Sequence, residues 1–581
     1  MPDAVSSIVV PRAGLKRPRI SEESVSGAIL TLAGAFWIFN IAWFWHYCGR
    51  NINADAISYI GIARHLRAGD FLRALHGYWS PLISWLMAPV FVVSGDRTLA
   101  ARLLMFPLFA ASLALLYLLT AKLWKSKLLS ACAVLWFVMA RGIALFSFSF
   151  IGADLLLTAT VLIYFIQLLR CLENPENSRS WIGLGLAHAI AFLAKAIAMP
   201  LFAMATVVAA LWSLGRRPKR AFTAVVCAAM LPVFVWAGWG MALRAKYGVF
   251  TSGYQLHWNL LSPEVKQTEA GNDGMLALRD TRKSYDAYMI SDSMPPGSPL
   301  WHAKVWRAGF VNQILLRELQ YIPSAGKELF VLLTPGGVLA LLLAIVRITR
   351  ERSRFPSPFA FAWIVVLTTA CLVAAYCMLI FDGRYVIPIT PLLMALALGF
   401  FAREDTGRLT SNELTAGLKR IGGVRASVAI LLIAGLIGVQ VYWASPFRTI
   451  RQDAEECVYS AAGTLSNNSV KTVAVIGSGP NPRRGVGWEA GMYAAYFSGS
   501  RIVGSLYELP PASGDDSVDA DLTRLSPDAA MVWGTPSDPA YSSLVQRLHE
   551  THDSAVQTRI EDGRQREVGT VLLLRKEAAQ E

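Results

Sequence analysis

The sequence predicts a mainly α, polytopic membrane protein of about eleven transmembrane helices, with further helices lying in the interface and a small soluble α/β domain at the C-terminus. Three observations predict it. The 581 residues are 54% hydrophobic and 16% charged, with a mean hydropathy of +0.43, whereas a soluble domain is about 25% charged. Apolar runs approaching the ~20 residues that cross a bilayer recur through the first three quarters of the chain. Beyond Val470 they give way to short β-branched runs alternating with helical stretches. Together these exclude a cytosolic enzyme, a disordered scaffold and a collagen-like fibre.

The runs cover 27–47, 99–119, 128–148, 155–171, 181–194, 196–214, 221–243, 329–348, 359–381, 385–401 and 426–443. The first follows Arg12, Lys16, Arg17 and Arg19 but lacks a small-residue cleavage site, so it reads as a retained helix. Threading the runs alternately with the N-terminus inside places Lys122, Lys125, Lys127, Arg170, Arg179, Arg216, Arg217, Arg347 and Arg350 on one face, as the positive-inside rule requires. The net charge of +14 invites a nucleic-acid reading, but 446–581 carries 13 basic and 18 acidic residues, which leaves 41 and 22 to the membrane part. The excess is therefore topological, and no nucleic-acid partner is expected. Residues 1–26 read as a cytoplasmic tail, 27–445 as the membrane domain with outer loops 48–96 and 244–327, and 446–581 as an extracytoplasmic domain. Five of the seven cysteines fall in or beside apolar runs, so only Cys48 and Cys457 could meet outside.

Residues 56–67 space their apolar positions as an interfacial helix does, and 81–93, with Trp85 and Pro89, is too short to cross and reads as interfacial or re-entrant. In the last quarter, strands are expected at 472–476, 502–506, 529–533 and 568–574, with helices near 489–497 and 541–549. Gly477-Ser478-Gly479-Pro480 has a proline where a nucleotide-binding helix would open, so it is a turn.

The threading gathers the chemically capable residues on the outer face. Asp55, just after the first span, could serve as a base, although read alone it is a solvated acid at a helix start. Asp154 opens a span, where an acid also complements the helix dipole. Lys195 interrupts an apolar stretch between two short spans, so its ammonium reaches a cavity between helices or snorkels to lipid phosphate. Arg384 sits in a tight turn, with Asp382 available to pair with it. Its planar donors suit a phosphate. Carboxylates, two cations and an apolar bundle at one membrane face suit a reaction in which a lipid-linked phosphate leaves and a hydroxyl attacks.

In order, Asp55 with Tyr59, Gly69-Asp70-Phe71, Tyr78-Trp79-Ser80-Pro81-Leu82 with Trp85, Asp154, Ala194-Lys195-Ala196 before Pro200, and Arg384-Tyr385 with Pro388 and Pro391 resemble the GT-C membrane glycosyltransferases. Among these the chain looks like the protein O-mannosyltransferase and aminoarabinose transferase group. The resemblance covers roughly residues 25 to 445. It implies a polyprenyl-phosphate sugar donor, an extracytoplasmic acceptor that is a lipid, glycan or protein, and Asp55 as the base of an inverting transfer, with Asp154 beside it. Lys195 and Arg384 would bind the donor phosphate, and Tyr59, Tyr78, Trp79 and Tyr385 the substrate. Aminoarabinose transferases carry Glu-Lys-Pro-Pro where this chain has Tyr78-Trp79-Ser80-Pro81, so the phosphate-binding lysine of that motif is missing. His76 or Arg73 could replace it.

The loop 244–327 holds His257, Trp258 and several other aromatic residues suited to stacking on sugars or to an aromatic belt at the interface. No cofactor is assigned: a divalent metal would have to draw on His76, His257 and His302, whose spacing has no ligand signature. Membrane lipids surround the spans. The expected location is a bacterial inner membrane, with the active site and C-terminal domain on the periplasmic or extracellular side. A transporter or flippase for a lipid-linked sugar would use the same cations without needing Asp55. A silent membrane scaffold presenting the C-terminal domain would leave Lys195 unexplained.

Overall fold

A computed structural model describes residues 22–48, 52–93, 97–140, 150–214, 218–253, 310–353, 355–379, 382–402, 452–477, 488–506, 517–552, 556–561 and 567–574, together with residues 143, 255, 279–280 and 509. The membrane part is a helical bundle. Among the described residues six helices are long and apolar enough to cross a bilayer: α1 (Glu22–Cys48), α5 (Arg97–Trp124), α7 (Ala153–Glu173), α10 (Pro218–Tyr247), α11 (Phe310–Arg350) and α12 (Pro356–Leu379). Shorter apolar helices fill in between them: α4 (Leu82–Val93), α6 (Lys127–Met139), α8 (Ser178–Ala194), α9 (Ala198–Leu214) and α13 (Thr390–Ala397). The run expected at 385–401 opens instead as a 3-10 turn, Gly383–Val386, so Tyr385 stands outside any span. The helix expected at 128–148 ends at Met139 with Ala140 as its cap, and most of 141–149 lies outside the described residues. The run at 426–443 lies outside the described residues.

The bundle has lipid, not water, as its outer solvent. Ile38, Val92, Leu118, Leu211, Phe222, Phe234 and Leu342 all point outward, a distribution stable only against hydrocarbon. Helix α7 is the exception, because most of its length is buried. It runs through the middle of the bundle, where the Tyr164 ring stacks on Phe202 of α9 at 3.9 Å and its hydroxyl bonds Thr206 at 2.8 Å. The helix carrying Asp154 is thereby held on all sides.

Two short helices lie across one end of the bundle, α2 (Ala54–Arg67) and α3 (Phe71–Ala74). On α3, Phe71 and Leu72 are exposed while Ala74 is buried, as expected for a piece that lies in an interface. The opposite end of the bundle carries basic residues. Lys122 pairs there with Glu173, Lys127 with Glu23 at 2.7 Å, and Arg347 donates to the carbonyls of Gly399 and Ala402.

The C-terminal domain has its own core. Four strands are flanked by helices α14 (Gln452–Asn467), α15 (Trp488–Ser498), α16 (Ser517–Leu525) and α17 (Pro539–Thr551). They are β2 (Thr472–Gly477), β3 (Arg501–Leu506), β4 (Ala529–Trp533) and β6 (Glu567–Leu573), with β5 (Val556–Glu561) added at one edge. The sheet order is β1-β3-β2-β4-β6-β5, parallel in β3-β2-β4 and antiparallel beyond. The edge strand β1 (Arg279–Asp280) comes from the segment between α10 and α11, which is shorter than the loop expected at 244–327, and pairs with Ser505 and Gly504. Cys457 is buried in this domain's core, while Cys48's side chain lies outside the described residues.

The domain seats on the end of the bundle that holds α2. Ile57 of α2 is buried among Cys457, Ala461, Ala495 and other core residues of the domain, and the Tyr496 hydroxyl meets Thr98 at the start of α5 at 2.8 Å.

Candidate functional site

Four segments meet at this end. Helix α2 brings Asp55 in its first turn, α7 brings Asp154 in its own, the turn between α8 and α9 brings Lys195, and the 3-10 turn after α12 brings Arg384. Each acid starts a helix, where a carboxylate is favoured by the dipole, while Lys195 follows the end of α8 and Arg384 lies inside the short 3-10 turn. The sequence does this locally. Lys195 has extended backbone as the cap of α8, and Asp382 accepts the Arg384 N–H at 3.1 Å to open the 3-10 turn.

The four side chains form one connected group. Arg384 Nη1 donates to Asp55 Oδ2 at 2.6 Å, while its Nε lies 3.1 Å from Asp382 and 4.0 Å from Asp154. Lys195 pairs with the same Asp154 through a short contact. Arg384 is therefore shared between Asp55 and the Lys195–Asp154 pair. Aromatic rings cover the cations: Phe150 lies 4.3 Å from Arg384 Cζ, and Tyr385 lies 4.6 Å from Lys195 Nζ. Tyr385 in turn stacks on Tyr376 at 4.1 Å.

Burial and charge oppose one another here. Desolvation pulls the Lys195 ammonium down, and Asp154 together with Tyr376 and Tyr385 more than offsets it, so its pKa stands above the usual lysine value. Arg384 behaves alike, with burial outweighed by Asp55 and then Asp154. Both stay charged. The Tyr59 hydroxyl, one turn after Asp55, is pushed up by burial and by that carboxylate, and remains neutral.

Lys195 also forms one wall of a cavity of about 360 Å³. Its lining is mostly aromatic and apolar, with Tyr78, Trp79, Phe192, Trp236, Trp239, Tyr376 and Tyr385, and with His76, Ser80 and Gln255 among the polar groups. The 76–81 segment is tied in place at several points. Ser80 Oγ accepts the Ala196 N–H at 3.2 Å, Tyr247 Oη accepts that of Gly77 at 3.2 Å, and Lys246 donates to the Leu75 carbonyl at 2.6 Å. His76 Nδ1 accepts the N–H groups of Tyr78 and Trp79 at 3.0 and 3.2 Å, which leaves the ring proton on Nε2.

Of the residues singled out from sequence, Asp55, Asp154, Lys195 and Arg384 come together, and His76, Tyr78, Trp79 and Tyr385 line the adjoining cavity. Tyr59 stands behind that wall, its ring 5.1 Å from Trp79. Arg73 does not join them: more than half exposed, it pairs with Asp70 at 3.1 Å on α3. His257 and Trp258 lie outside the described residues. Sequence reasoning passed over Tyr376, Phe150, Trp236 and Trp239. Aromatic residues near span ends are ordinary belt residues, and only the fold brings these rings to the two cations and the cavity.

No family model matches the chain, and no curated protein matches it by sequence. Its fold does match solved structures. ArnT from Cupriavidus metallidurans, bound to undecaprenyl phosphate, is 12% identical over 94% of this chain and 97% of its own, with a TM-score of 0.52. The oligosaccharyltransferase of Archaeoglobus fulgidus, in complex with zinc and sulfate, is 10% identical over 87% of this chain and 68% of its own, with a TM-score of 0.50. The chain has the GT-C fold of these membrane glycosyltransferases, as its motif order led one to expect.

Proposed function

We propose that the protein is a membrane glycosyltransferase that moves a sugar from a polyprenyl-phosphate donor to a hydroxyl of an extracytoplasmic lipid, glycan or protein, inverting the anomeric carbon. The observation that carries this is Arg384 shared between Asp55 and the Lys195–Asp154 pair, with Lys195 in the wall of an aromatic cavity. Two cations beside an aromatic pocket suit a sugar phosphate, the rings stacking on the sugar and the cations meeting the anion. The likeness in fold to ArnT, whose structure holds undecaprenyl phosphate, supports the polyprenyl part.

The chemistry follows from the charges. As donor phosphate enters, Lys195 and Arg384 turn from their carboxylates toward it, and Asp55 is released to accept a proton. The acceptor oxygen attacks the anomeric carbon while its proton passes to Asp55. The bond from that carbon to the phosphate oxygen breaks, and its electron pair leaves with polyprenyl monophosphate. The cations stabilise negative charge that grows toward the transition state, and Asp154 holds them in place until the donor arrives. So good a leaving group needs no acid. Tyr78, Trp79 and Tyr385 contact the substrate, with Tyr59 supporting them, and His76 supplies the polar group that the missing motif lysine would have given.

The basic helix ends opposite the site support this membrane sidedness. Residues 1–26 are then a cytoplasmic tail, 27–445 the catalytic membrane domain and 446–581 an extracytoplasmic domain, in a bacterial inner membrane. The test uses the full-length protein in detergent, without compartments, and a panel of radiolabelled polyprenyl-monophosphate sugars with crude envelope acceptors. Label should pass from lipid to acceptor. A donor that binds while its label stays on the lipid, with binding unchanged in Asp55→Asn, would favour a transporter or flippase instead.

A further inference from the structure

Asn53 precedes α2 with extended backbone (φ −100, ψ 157), and its carbonyl accepts the Ala56 N–H at 3.0 Å. At this position an asparagine ordinarily turns its side-chain oxygen to the first N–H groups of its own helix. Here the side chain caps nothing. It reaches a segment 98 residues further on, where Oδ1 accepts the Ile151 N–H at 2.9 Å and Nδ2 donates to the Ile151 carbonyl at 3.2 Å. One side chain thus satisfies both backbone groups of a fully buried residue, as a neighbouring strand would. On its own chain Asn53 is two residues from Asp55. The residue before Ile151 is Phe150, whose ring covers Arg384, and three residues after it comes Asp154.

We propose that Asn53 is a positioning residue of the transfer reaction: it locks the start of α2 to the start of α7, so that Asp55, Asp154 and Phe150 converge on the one guanidinium of Arg384. The inference rests on Asp55 being the base. Asn53 touches no reacting atom, and its effect passes through the two carboxylates. Proton transfer from the acceptor is sensitive to placement, and a displacement of about 1 Å can cost on the order of 100-fold in rate.

The test uses the full-length protein, the panel donor that the native chain turns over, single-turnover label release, and the affinity for undecaprenyl phosphate alone. Asn53→Ala removes both bonds to Ile151. Asn53→Asp keeps the acceptor for its N–H and loses the donor. The rate should fall about 10- to 100-fold in Asn53→Ala and less in Asn53→Asp, with phosphate affinity unchanged in both. A native rate in an Asn53→Ala protein that still binds phosphate overturns the proposal. Loss of affinity and rate together in both variants also overturns it, because Asn53 would then serve stability alone. Failure of the underlying reading looks different: Asp55→Asn would keep the native rate whatever the Asn53 variants do.

Discussion

In the proposed reaction the cations exchange ion-pair partners, and single residues carry separable shares of that. Lys195 and Asp154 are about nine-tenths buried and paired, so removing one strands a charge in an apolar setting. Lys195→Met should lower stability by about 3 kcal/mol and weaken polyprenyl-phosphate binding, read by thermal unfolding and by titration with undecaprenyl phosphate. The sign of the Lys195 pKa sets a second expectation. Because Asp154, with Tyr376 and Tyr385, outweighs burial and raises it past the ordinary 10.5, Lys195 stays protonated at every pH below that, and the rate should show no alkaline fall from this group up to pH 10. A profile that declines near pH 8 would contradict the pairing. These residues were legible because an ionisable side chain in an apolar run stands out without any fold. Tyr376 and Phe150 were not, since nothing in a lone aromatic residue tells a lipid contact from a cation contact.

At the scale of elements, the cavity depends on how tightly one loop approaches another. Gly253 adopts φ +135, and a Cβ there would stand 2.6 Å from the Gly77 carbonyl oxygen. Gly253→Ala should cost about 1 to 3 kcal/mol in backbone strain and displace the 76–81 wall, so donor affinity falls while Asp55 and Arg384 remain paired. Thermal unfolding and undecaprenyl phosphate titration together check this. Gly383 makes a similar close approach, with Glu328 of α11 packed where its Cβ would be. Most spans could be placed from apolar runs, because length and hydropathy suffice for a helix in lipid. Hydropathy cannot see a turn inside an apolar run. It therefore extended a helix over Tyr385, where Asp382 and Gly383 start a 3-10 turn that aims Arg384 into the site. Sequence reasoning also passed over β5 and α16, short pieces of six and nine residues, although their polarity alternates as an edge strand and a surface helix require.

For the whole molecule, the notable relation joins the C-terminal domain to the helix carrying Asp55. Ile57 is 2% exposed and sits in that domain's core, on the far side of α2 from the site. Ile57→Ala should cost at least about 2 kcal/mol and loosen the domain, giving earlier proteolytic release of a fragment near residue 452 and slower transfer, with undecaprenyl phosphate affinity retained. The shift from long apolar runs to short strands marked the domain clearly in the sequence. Its seat on α2 was invisible there, because Ile57 and Cys457 are 400 residues apart and each fits an ordinary helix.

The central claim is that Asp55 takes the acceptor proton while Lys195 and Arg384 hold the phosphate. The most direct measurement compares native protein and Asp55→Asn for label release from a polyprenyl-monophosphate sugar and, in parallel, for undecaprenyl phosphate affinity. Removing a general base should lower turnover about 10²- to 10⁴-fold, with phosphate affinity unchanged or tighter, because Arg384 loses its competing carboxylate. An Asp55→Asn protein that transfers sugar at the native rate would contradict the account.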